Sequence, residues 1–247
     1  MKALVTITDL TRMQEDRVCV AGYLPDGTCV RPVLERHGGL LEAWLRANGQ
    51  LVVRPFATVE LDLYERVPDP PHTEDHLINP VYRVPRGMLA SDEQRAFLET
   101  ISDESVNSIF GAAIHQGPGW YVLAGEGRRS LGTVRAIIQE LAISFTESGL
   151  WNCRLLFADQ TGETYRLSVS DLTYRYYLDH LRVRENLPRQ EAARRLTEVF
   201  QEARIYLRIG LARGWEKFPD RCYLQITGVY SFPDHLGGRC FADFASR

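Results

Sequence analysis

Apolar and polar positions follow two rhythms along the chain. Near the amino end they form short β-rich pieces, 2–8, 17–24 and 28–33, with Pro25-Asp26-Gly27 between the second and third. Asp-Gly supplies the positive φ of a tight turn, so 17–33 is expected to be a hairpin. Residues 56–64 alternate apolar and polar with period 2, as a half-buried strand does, until Pro68, Pro70 and Pro71 stop the pattern. A first β-domain is expected over 1–75. From 76 to 119 the spacing turns helical. Ser91-Asp92-Glu93-Gln94 reads as a capping box ahead of Phe97, Leu98 and Ile101, and a shorter patch over 105–110 stops at Gly111. Gly117-Pro118-Gly119 then breaks the chain and ends this helical connector.

Strands resume beyond it. Residues 131–145 are long enough to curve, 153–157 follow, and Asp159-Gln160-Thr161-Gly162 turns into 164–169. A helix is predicted over 187–204, where Pro188 suits the first turn and Ala192, Leu196, Val199, Phe200 and Ala203 share one face. Residues 205–211 and 222–230 read as two more strands. Three strands, a helix and two strands is the order of an OB-fold, a five-stranded barrel that binds oligonucleotides, oligosaccharides or small ligands. The expected fold is mainly β with α, with a second domain over 120–247 built around the inserted helix.

Composition narrows the class. With 247 residues, 45% hydrophobic and 25% charged, the chain has globular proportions, which excludes disorder and collagen. No stretch approaches the ~18 apolar residues of a membrane helix, and Met1 to Asp9 turns polar too soon for a signal peptide, so a cytoplasmic location is expected. Five cysteines without C-x-x-C spacing suggest neither a disulfide framework nor a zinc ribbon, and no metal or cofactor is expected. A net charge of -3 argues against coating nucleic acid by bulk electrostatics but leaves room for a local basic groove. Of the 29 basic residues 27 are arginine, which forks onto phosphate and stacks on bases; a GC-rich coding bias explains the same count.

Several short motifs in a fixed order carry a family resemblance. Cys19-Val20-Ala21-Gly22 precedes Val30-Arg31-Pro32-Val33, and Pro71-His72-Thr73-Glu74-Asp75 follows an apolar acidic strand. Ser105 to Gly111, Ser130-Leu131-Gly132, Leu167-Ser168-Val169-Ser170-Asp171, Tyr206 to Leu211 and Arg221-Cys222-Tyr223-Leu224 continue the series. Over nearly its whole length the chain resembles the bacterial dual OB-containing domain. It departs from that pattern at Cys29-Val30, where the family has an aromatic before Arg-Pro, and at Tyr206-Leu207, where it has a serine. The resemblance implies two tandem OB-like five-stranded barrels, found in bacterial conflict and anti-phage systems, with a role in binding nucleic acid or a nucleotide-like ligand. It implies a recogniser more than a catalyst.

Candidate residues carry alternatives. Arg31, held extended before Pro32, either clamps a phosphate at a barrel rim or pairs with a carboxylate such as Glu74. His72, Glu74, Asp75 and His76 pack imidazoles and carboxylates closely, yet their spacing matches no metal motif, and His-x-Glu lacks the downstream Pro-Cys-x-x-Cys of zinc deaminases. A lock that fixes the linker is the favoured role for these four. Tyr174 and Arg175, beside Tyr176 and Tyr177, combine the aromatic and cationic groups that unpaired bases need; the alternative is a helical turn burying Tyr174, Tyr177 and Leu178, with Asp171 as its N-cap. Arg166 on the preceding strand joins this patch. Arg128 and Arg129 follow a glycine-rich turn that is neither a Walker nor a dinucleotide pattern, which leaves them as auxiliary phosphate contacts. No Gly-x-Ser-x-Gly elbow occurs.

The OB strand order and these residues point to a non-enzymatic module that recognises single-stranded nucleic acid or a nucleotide-like ligand, and the resemblance implies that it acts within a bacterial defence system. The alternative is a protein-interaction adaptor that docks on an effector from the same operon, such as a nuclease or ATPase. A nucleotide hydrolase working through His72 to His76 is the least favoured reading.

Overall fold

The computed structural model describes residues 1–34, 38–146 and 149–245. The first barrel consists of β1 (Lys2–Arg12), β2 (Arg17–Tyr23), β3 (Cys29–Val33), β4 (Ala57–Arg66) and β5 (Asp75–Met88). β1 pairs antiparallel with β2 and β4, β2 with β3, and β4 with β5, while β3 runs parallel to β5 with Arg31 opposite Asp75. That closes a ring in the order 1-2-3-5-4-1. The hairpin turn forms where Asp-Gly requires it: Gly27 takes φ +84°, and Asp26 Oδ1 accepts the Thr28 amide at 2.9 Å. β4 points Ala57, Val59, Leu61 and Leu63 inward, as its period-2 pattern predicts, against Val5, Ile7, Val18 and Val20.

The second barrel repeats the plan with β7 (Leu131–Phe145), β8 (Trp151–Ala158), β9 (Thr164–Ser168), β10 (Arg204–Leu211) and β11 (Arg221–Phe232), preceded by a short strand, β6 (Trp120–Leu123), that pairs outside the ring with β11. β7 is long enough to serve two partners, β10 through its first half and β8 through its second, with a bulge between Ile138 and Glu140. β8 pairs with β9 and β10 with β11, and a parallel bridge from Val169 to Ile226 closes the ring. A separate apolar core fills it.

Two expectations need correction. The first barrel does not end at residue 75, because the 14-residue β5 occupies much of the supposed connector. Pro80, Pro85 and Gly87 hide it by interrupting the alternation, and the register with β4 shifts at several points to accommodate them. The helical part reduces to α1 (Ser91–Thr100) and the single turn α2 (Val106–Ile109), and between them Ser102 and Asp103 already pair with β7. The cap of α1 also sits one residue early, with the Glu93 carboxylate accepting the Ala90 amide at 2.6 Å. Second, the insertion between β9 and β10 holds two helices. α3 (Leu172–Val183) precedes α4 (Arg189–Glu202), the latter burying Ala192, Leu196 and Phe200 as its spacing predicts.

Candidate ligand-binding groove

The barrels meet along β1. The Arg12 amide donates to the Ser170 carbonyl at 3.0 Å, and the Tyr230 hydroxyl donates to the Thr8 carbonyl at 2.6 Å. At the centre of the seam lies Arg208 of β10, fully buried. Its Nε donates to Asp9 Oδ2 at 2.9 Å, and its Nη1 donates to the Tyr23 hydroxyl at 2.7 Å and to Thr133 Oγ1 at 2.8 Å. Asp9 also accepts from Thr8 Oγ1 and Thr227 Oγ1. An ion pair removed from water needs this many partners to offset its desolvation.

Beside the seam opens a cleft of about 680 Å³, within the size range of small-ligand sites. Arg12, Arg17, Arg31 and Arg213 line it together with Trp215. Arg31 is 5% exposed; its Nε donates to Asp75 Oδ1 at 2.5 Å and its Nη1 to Ser130 Oγ at 3.3 Å. Its Nη2 is buried and meets no acceptor among the described residues. Asp75 also pairs with Arg213 from the β10–β11 loop, and Arg17 donates to the Gly39 carbonyl at 3.0 Å. Trp215, in the same loop as Arg213, is 54% exposed and rests edge-on against Phe218 at 5.8 Å between ring centroids. Among the described residues the acidic groups on the cleft lining are Asp9, already engaged in the seam, and Glu15, with Asp75 and Asp69 paired behind it to Arg31 and Arg213. Burial pushes the thiol of Cys19, which also lines the cleft, above its usual range.

Arg12, Met13 and Gln14 also line a second, smaller pocket of about 310 Å³, together with Asn152, Ser168 and Arg175. Arg175 Nη1 donates to Asn152 Oδ1 at 2.7 Å. Asn152 and Ser168 belong to the second and third strands of their barrel, the strands that form the binding face of OB-folds.

The sequence-derived residues scatter. Arg31 and Arg175 fall in the groove, whereas Tyr174 does not: it is 2% exposed, packs against Phe200 and places its hydroxyl 3.2 Å from His235 Nε2. It presents no face to a base. Asp171 accepts the Thr173 amide at 2.7 Å and so caps α3, the helical alternative for this segment. Arg166 is exposed on the outer face of β9, two residues from Ser168. Arg129 is committed to the Ile109 carbonyl and Asp103, while Arg128 is exposed near Gly111 with its stem against the chain there. In the linker, Glu74 Oε1 accepts the Ser130 and Leu131 amides at 2.6 and 3.1 Å and Oε2 accepts Ser130 Oγ at 3.0 Å, which ties the segment to the start of β7. His72 is buried, and His76 Nδ1 lies 2.8 Å from the Glu74 carbonyl. Arg12, Arg17, Arg213 and Trp215 carry no motif. The one sequence signal for them is position, since all four flank loops between adjacent barrel strands.

Among the described residues no three His, Cys, Asp or Glu side chains gather as metal ligands, and no helix is long and apolar enough to cross a membrane. The groove offers guanidinium donors and an exposed indole, a chemistry of recognition for anionic, flat ligands. No curated protein matches the chain. The family model of the dual OB-containing domain matches residues 5–229, which takes in both strand rings and the seam between them, and the chain belongs to that family.

Proposed function

We propose that the protein is a recognition module that binds single-stranded nucleic acid, or a ligand of the same nucleotide chemistry, in the groove between its barrels. The observation that carries this reading is the cleft itself, where Arg12, Arg17, Arg31 and Arg213 gather beside the exposed indole of Trp215. A phosphate oxygen is the acceptor that guanidinium donors take best. The exposed face of Trp215 favours an unpaired base over a stacked duplex. The setting is a bacterial defence system, as the family resemblance implies.

Fluorescence anisotropy with labelled single-stranded and duplex DNA and RNA, titrated with salt, tests the reading. Binding is expected to favour single strands and to weaken steeply with salt. Arg213→Ala is expected to weaken it further. No binding to any of the four at low salt would overturn the proposal and turn attention to an adaptor that docks on an effector protein.

A further inference from the structure

The groove has two cationic stations. One is the cleft, where Arg17 stands free of any carboxylate among the described residues in front of Arg31 and Arg213, which share Asp75; the other is the pocket beyond Met13 and Gln14, where Arg12 leaves the end of β1 and Arg175 leaves the start of α3. No carboxylate among the described residues lines this second pocket. Burial and then the neighbouring charge of Arg12 lower the pKa of Arg175. Asp179, the acidic side chain that acts on Arg175 in the opposite sense, is itself bound to Arg182 at 2.7 Å. Two guanidiniums that share a pocket repel each other unless an anion lies between them. The remaining lining is suited to such an anion, since the Ser168 hydroxyl and the Asn152 amide are neutral hydrogen-bonding groups on the pocket wall. Asn152 also holds Arg175 in place.

We propose that Arg12 and Arg175 hold a second phosphate, so that the ligand is a single strand of at least two linked nucleotides laid over the Met13–Gln14 turn, one phosphate at each station. The proposal rests on the groove as the nucleic-acid site and adds the size of the ligand. A mononucleotide fills one station only. A strand of two or more nucleotides fills both.

Calorimetric titration at low salt distinguishes these cases. The probes are a 5′-phosphorylated thymidine mononucleotide, its 5′-phosphorylated dinucleotide, the uridine counterparts of both, and a 20-nucleotide single strand. The dinucleotide carrying two phosphates is expected to bind roughly tenfold or more tighter than the mononucleotide, the worth of an added charge-assisted contact. In Arg175→Gln that preference is expected to collapse to about twofold, and Arg175→Lys is expected to restore part of it because the charge returns without the fork. Arg12→Gln, at an exposed side chain, gives the same reading should Arg175→Gln fail to fold, as judged by thermal melts run in parallel. A preference absent from the wild type, or unaltered in the variants, would overturn the two-station proposal while binding of the 20-nucleotide strand leaves the groove assignment standing. If no probe binds the wild type, the groove assignment itself is wrong.

Discussion

The two barrels share a strand order and differ in what lies between their third and fourth strands. In the first, the described part of that link carries one 3₁₀ turn, Glu42–Leu45, which buries Trp44 and Leu45. In the second it carries α3 and α4, which bring Tyr174, Leu178, Leu196 and Phe200 into the core. The two plugs touch, because the Tyr176 hydroxyl donates to both Glu42 carboxylate oxygens at 2.8 and 2.9 Å. The contrast explains why the most suggestive run of aromatic and basic residues is packing and the groove lies elsewhere. Tyr174, Tyr177 and Leu178 share one side of a helix, and a helix laid on an open barrel end must bury that side. Ligand groups come instead from loops and strand ends that the plugs leave uncovered.

The largest effect that would sharpen this contrast lies at the seam. Asp9→Asn leaves Arg208 buried without its counter-ion and is expected to cost about 3–5 kcal/mol, read from urea unfolding; a loss under about 0.5 kcal/mol would mean that apolar packing alone joins the barrels. Tyr174→Ala is expected to cost a similar amount, about 3–5 kcal/mol, as a core cavity, whereas Tyr174→Phe removes one hydrogen bond and costs about 1 kcal/mol. A folded Tyr174→Phe protein with clearly weakened nucleic-acid binding would return α3 to the site and break the comparison.

Acid tests the plug of the second barrel. Burial among Tyr174, Tyr177 and Phe200 lowers the His235 pKa from 6.5 to about 4. The unfolded chain takes up that proton as the pH falls below about 6.5, and the folded chain resists until about 4, so stability is expected to fall through this window by about 2–3 kcal/mol. Thermal melts at pH 7, 5.5 and 4 measure the slope, and His235→Gln is expected to flatten it; an unaltered slope would assign the loss to carboxylates. The smallest change in stability, within about 0.5 kcal/mol, is expected for Trp215→Ala on the exposed loop. Its anisotropy readout should nonetheless fall roughly tenfold in affinity for single strands. Unchanged affinity would take the base-stacking position off the cleft.

Local chemistry made much of this fold readable. The Asp26-Gly27 turn, the alternation of β4, and the apolar face of α4 are each decided within about ten residues, and the sequence shows them directly. β5 was hidden because its partners, β3 and β4, hold prolines in line that would be unfavourable in an isolated strand. The start of α3 is legible only as one of two readings of its tyrosines, which fit a binding face and a core equally well until the barrel end they cover is known. The groove was the least legible part. Arg31 and Arg175 could be picked out as arginines beside special neighbours, but only the meeting of the barrels brings them near Arg12, Arg17, Arg213 and Trp215. Such a site is a property of the pairing and leaves no contiguous motif.

The seam also bears on how the protein can be inherited and rebuilt. Asp9 lies on the first strand of one barrel and Arg208 on the fourth strand of the other, so each half supplies a different member of the pair. Glu74, likewise, belongs to one half and the amides that it accepts to the other. Two copies of either barrel would bring together like with like and leave a buried charge unanswered. The chain repeats a plan without containing interchangeable modules, and a graft or shuffle that moves one barrel must carry its neighbour along.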